Sequence, residues 1–150
     1  MGKNMGMVAD ITPNRDYLHV RVTGDFLLIE ANDVVRRIFM AIDQHALSKV
    51  LIDCRQVKGN PTTMERFEHA KFVSREKLKG SGAPGSVRLV YVGTEPLIER
   101  QDGFGETVAL NRGVAVKETD NLEEALRWLG IDLADPALET ADRQIARPQG

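Results

Sequence analysis

One cysteine, Cys54, stands in 150 residues; no disulfide can form within the chain, and a cysteine-built zinc site is excluded. A single thiol suits a reducing compartment. No apolar run approaches the roughly 20 residues of a spanning helix, and the opening MGKNMGMVADI holds no apolar segment of signal-peptide length. A cytoplasmic protein with no membrane span is expected. Gly6 stands where N-myristoylation wants Ser or Thr, so Met1-Gly2 carries little weight. Charge of one sign is missing as well. Twenty basic against 22 acidic side chains leave a net charge of -2, which gives no broad field to gather nucleic acid or an acidic membrane. His19, His45 and His69 are scattered singly without metal-ligand spacing. No acid, base and nucleophile stand at a recognisable separation, so neither a catalytic centre nor a cofactor or metal is expected.

What is present is an ordinary globular composition, 42% apolar and 28% charged. The length suits one compact domain that buries roughly two-thirds of its unfolded surface. Residues 7–11 and 17–23 alternate in part and flank Thr12-Pro13-Asn14-Arg15-Asp16, which reads as a hairpin. In its second strand Leu18, Val20 and Val22 share one face and Tyr17, His19, Arg21 and Thr23 the other, the pattern of a sheet covered on one side. Val34, Val35, Ile38, Phe39 and Ile42 form a helical stripe. Val50, Leu51 and Ile52 make a short strand covered on both faces, ending at Asp53-Cys54. A helix is expected over residues 62–78 with Met64, Phe67, Ala70 and Val73 inward, followed by the connection KGSGAPGS and a strand over 87–92. Residues 103–113 read as a short helix entered by Gly-Phe-Gly, and 114–116 as a strand. In NLEEALRWLG, Asn121 and Glu124 have capping-box spacing, Gly130 ends the helix, and Trp128 is expected in the core. The order predicts an α/β domain over residues 1–130, with a mixed four- to five-stranded sheet opened by a hairpin and flanked by about four helices. Residues 131–150 read as a polar, mobile tail.

Two places carry candidate function. At Asn60-Pro61-Thr62-Thr63-Met64-Glu65, the pair Thr62 and Glu65 matches a capping box, in which each side chain bonds the other's amide. A phosphate would also be favoured at this helix start by free amides and the helix dipole, so Thr62 and Thr63 are phosphoacceptor candidates, capping being the commoner use. Asp53 and Asn60 near the strand exit, and Glu65 in the first turn, are candidates for binding a partner or ligand. The second place is the polar run of residues 99–113, with Arg100, Glu106 and Arg112; the glycines allow an anion to approach the helix start, or serve only a tight loop between dipole-matched ends. Cys54 reads as packing more readily than as a nucleophile.

The segments KVLIDCRQVKGNPTTMERF and GFGETVALNRGVAVKETDNLEEALRWL, with Glu-Ala-x-x-Trp-Leu at residues 124–129, together resemble the SpoIIAA-like branch of the STAS superfamily. The resemblance extends over roughly residues 10–130. It implies a mixed sheet flanked by helices, no catalysis, and action through a protein partner, a kinase or anti-sigma-type regulator. In the antagonists of that superfamily a Ser in an Asp-Ser-Ser-Gly-like turn is phosphorylated, and Asn60-Pro61-Thr62-Thr63-Met64 occupies the corresponding place without the acidic residue or the glycine. A second reading is a carrier of a small apolar molecule or lipid, with a pocket lined by Phe26, Phe39, Phe67 and Phe72. An exposed sheet edge is also compatible with a homodimer.

Overall fold

The computed structural model describes residues 6–79, 86–98 and 113–133. Five strands form one sheet: β1 Val8–Pro13, β2 Leu18–Asp25, β3 Lys49–Lys58, β4 Val87–Val92 and β5 Val114–Thr119, in the order β1-β2-β3-β4-β5. The β1–β2 hairpin is antiparallel, with Val8 opposite Thr23 and Pro13 opposite Leu18; the other pairs are parallel. Three helices are seen among the described residues: α1 Leu28–His45, α2 Thr63–Lys79 and α3 Leu122–Leu129. The short helix expected over 103–113 and the tail from residue 134 lie outside the described residues.

The apolar stripe of α1 is buried as its spacing predicts, with Val35, Ile38 and Ile42 at 1% exposure or less. They meet Leu18, Val20 and Val22 of β2, Val50 and Ile52 of β3, and Leu89 of β4 in one core. Fully burying one such side chain is worth about 1.5–3 kcal/mol. Helix α1 ends on Ala46 in the left-handed conformation (φ 56°), its amide bonded to the Ile42 carbonyl. Asn121 caps α3 by accepting from the Glu124 amide at 2.8 Å, and Gly130 closes it at φ 76°.

Several expectations are corrected. Strand β3 runs on to Lys58, because the hydrogen bonds to β2 continue past an irregularity at Arg21/Thr23 that opposes Gln56 to Thr23. That irregularity also resets the alternation, so Cys54 and Val57, three apart, both join the α1 core. Strand β5 extends to Thr119. Pro13 sits within β1, where an edge strand tolerates its missing N–H. The sheet is covered on both sides: Tyr17 packs with Leu51, Val90 and Val92 against Ala125, Leu126 and Leu129 of α3, and His19 is buried too. Trp128 lies at the edge of that second core, with the Arg88 guanidinium 5.2 Å from its ring. Met64, expected inward, is 64% exposed.

Candidate functional site

The parallel strands β2 and β3 end side by side and feed the starts of α1 and α2. Their exit loops are joined: the Phe26 amide donates to the Lys58 carbonyl at 2.7 Å. At Gly59, with φ 144°, an added Cβ would come within 2.8 Å of the Phe26 Cβ. Only glycine fits that backbone and that approach. Pro61 is buried, and Asn60, Thr62 and Thr63 are exposed.

The capping box forms in full. The Thr62 amide donates to Glu65 Oε1 at 2.9 Å, and the Glu65 amide donates to Thr62 Oγ1 at 3.0 Å. The hydroxyl of Thr63, the first residue of α2, makes no hydrogen bond among the described residues. One threonine therefore holds the helix end while its neighbour presents a hydroxyl to solvent. Exposed apolar side chains stand at the same end of the sheet: Leu27 at 51% and Ile29 at 78% at the start of α1, and Met64 at 64% in the first turn of α2.

Beneath α2, on the α1 side of the sheet, lies a cavity of about 100 Å³. Cys54 of β3, Tyr91 of β4 and Glu118 of β5 form its floor, and His69 and Ala70 of α2 its roof. His69 bridges three elements: Nδ1 lies 2.8 Å from Asn32 Oδ1 of α1, and Nε2 lies 2.9 Å from the Tyr91 hydroxyl. Because Asn32 Oδ1 can only accept, the ring N–H sits on Nδ1 and Tyr91 donates to Nε2. Burial lowers the His69 pKa to about 4, which keeps this ring neutral. Burial also raises the Cys54 thiol and the Tyr91 phenol, with neighbouring Glu118 adding to both. A thiol held protonated is a poor nucleophile, in keeping with a packing role.

Asp53, adjacent in sequence, points to the opposite side of the sheet. It is 2% exposed and takes a bidentate pair from Arg55, with Nε donating to Oδ1 at 3.1 Å and Nη2 to Oδ2 at 3.0 Å. The Arg55 amide also donates to Oδ1 at 3.0 Å, so Asp53 satisfies its own strand end as well as an arginine. His19 lies nearby on this side; its Nε2 is buried with no hydrogen-bond partner, and burial lowers its pKa against the opposing pull of Asp53. The structure thus brings Asn60, Thr62, Thr63 and Glu65 together and separates Asp53 from them. Arg100, Glu106 and Arg112 lie outside the described residues.

The four phenylalanines do not line a common pocket. Phe26 borders the cavity, Phe39 is 4% exposed in the α1 core, Phe72 borders a groove with Ile29 and Arg36, and Phe67 lies beneath the Lys71 ammonium. The cavity residues 54, 69, 91 and 118 escaped the sequence reading; the one available signal was His69 falling on the inward stripe of α2 beside Ala70 and Val73. Among the described residues no cluster of three His, Cys, Asp or Glu could hold a metal, and no helix is long and apolar enough to cross a membrane.

No family model and no curated protein matches the chain. Solved structures do. An uncharacterized protein with a SpoIIAA-like fold from Shewanella loihica superposes with a TM-score of 0.50 at 19% identity, covering 86% of this chain and 98% of the other. An anti-sigma factor antagonist from Mycobacterium paratuberculosis gives 0.49 at 14% identity over 83% and 94%. An antisigma-factor antagonist STAS domain from Rhodobacter sphaeroides gives 0.32 at 13% over 83% and 95%. With its antiparallel opening hairpin, four parallel strands β2 to β5 and helices on both faces, the chain has the SpoIIAA-like α/β fold.

Proposed function

We propose that the chain is a non-catalytic regulatory domain that binds a protein partner through the end of the sheet where α1 and α2 begin, and that Thr63, with Thr62 as the alternative, accepts a phosphate there. The observation that carries this reading is the pairing of a free hydroxyl with exposed apolar side chains: Thr63 and Met64 sit together in the first turn of α2, after a strand end whose Lys58 carbonyl accepts from Phe26, the chain neighbour of the exposed Leu27. Aromatic and Met side chains typify the centre of protein interfaces. A phosphate on Thr63 would add a charge of about -1.5 to -2 at a helix N-terminus, which favours it, while leaving the Thr62 cap unbroken. It would also set that charge against the apolar Met64, disfavouring an apolar partner surface. The sequence resemblance to the antagonists agrees with a partner that is a kinase or an anti-sigma-type regulator.

Mass spectrometry of the protein recovered from its own host, together with partner capture by wild type, Met64→Asp, Thr63→Glu and the distant control Met40→Asp, tests the reading. Met64→Asp and Thr63→Glu should lose the partner while Met40→Asp retains it, and a phosphopeptide should map to residues 62–63. Equal capture by all four, with unmodified threonines, overturns it.

A further inference from the structure

The docking reading does not use the interior of the cavity beneath α2, which Pro61 and Glu65 border. Its walls are mostly apolar, with Val57, Ala70, Val73 and Val116 between the polar groups of its floor. At about 100 Å³ it is far below the roughly 300–1,000 Å³ of sites for drug-sized ligands, so no lipid chain is accommodated as it stands. It is of the same order as an engineered apolar cavity of about 150 Å³ that admits benzene. We propose that it binds a small, largely apolar molecule, about the size of a phenol, that carries one hydrogen-bond donor.

The polar groups set that chemistry. His69 has both ring nitrogens engaged, with Asn32 and with Tyr91, and offers a guest nothing. Tyr91 spends its proton on His69 Nε2 and keeps oxygen lone pairs with which to accept. Arg66 also lines the cavity, and its Nη2 donates to the Pro96 carbonyl at 2.6 Å. The Tyr91 oxygen therefore asks a guest for a donor. The partly exposed Met7, Phe26 and Leu97 rim the cavity, and the guest reaches the floor between them.

Titration of the ¹⁵N-labelled full chain with phenol and benzene, followed by NMR, tests this. Phenol should shift the amides of Cys54, His69, Ala70, Tyr91 and Val116 saturably. One added hydrogen bond should make phenol bind roughly 2- to 12-fold tighter than benzene. Tyr91→Phe combined with His69→Leu, which removes the hydroxyl without baring Nε2, should erase the preference for phenol while retaining benzene. Val116→Phe, or Ala70→Val where the larger side chain prevents folding, should abolish binding of both. No saturable shift with either probe at millimolar concentration, or a phenol preference intact in the double variant, overturns the proposal.

Discussion

Stability should fall steeply between pH 6.5 and 4 because of one side chain. In the folded chain His69 resists protonation down to a pKa of about 4, against 6.5 for the exposed ring. Burial is the cause; the folded site leaves Tyr91 donating to Nε2, and a second ring proton would meet that hydroxyl head-on. Over the interval between those two values the unfolded chain binds a proton that the folded chain refuses, so stability is complete above pH 6.5 and declines as the pH drops through it. Each pH unit is worth about 1.4 kcal/mol, and with water's access to the partly exposed side chain allowed for, the loss is about 2–3 kcal/mol by pH 4. His19, whose pKa is also lowered by burial, acts in the same direction. The two are separated by comparison with His69→Gln, which keeps hydrogen-bonding capacity but cannot titrate. Urea denaturation of both proteins from pH 7.5 to 4 gives the difference directly: wild type should lose about 2–3 kcal/mol more than His69→Gln over that range. Parallel curves for the two proteins would refute the enclosed, neutral imidazole.

Thr62→Ala and Glu65→Ala should each cost about 1 kcal/mol by thermal or urea denaturation, and the double variant less than the sum, since both belong to one box, whereas Thr63→Ala should change stability by less than about 0.5 kcal/mol. Gly59→Ala should destabilise by about 1–3 kcal/mol from backbone strain, with the contact to Phe26 adding to it, measurable as a lower Tm. Arg55→Met should cost about 3 kcal/mol by leaving Asp53 charged and buried, and adding Asp53→Leu should restore most of that stability in the same urea assay.

Local chemistry was legible in the sequence. Thr62 with Glu65, and Asn121 with Glu124, lie within four residues of each other, so spacing alone specifies the bond: the first box forms in full, and at the second Asn121 accepts from the Glu124 amide while its own amide donates to Thr119 Oγ1. The α1 stripe and the buried strands were legible for the same reason: their period is written in consecutive residues. What failed was whatever depended on a distant element. Tyr17 and His19 looked solvent-facing because the helix that helps cover their side of the sheet, α3, lies more than a hundred residues later. Asp53 was grouped with Asn60 and Glu65 because all three lie near the strand exit, and only the sheet shows Asp53 turned to the opposite side and held by Arg55. The carriers of the cavity, at positions 54, 69, 91 and 118, come from four elements and share no spacing. Phe39 and Phe72 were grouped by residue type, and the helices turn them in different directions.

The bond from the Phe26 amide to the Lys58 carbonyl, and the fit of Gly59 against that ring's Cβ, make two loops behave as one body. A partner that draws residues 59–62 outward must drag Phe26 with them, and Phe26 stands at the rim of the cavity. Were a partner to dock there and a guest to fill the cavity, whatever factor the guest imposed on the partner's affinity the partner would impose on the guest's.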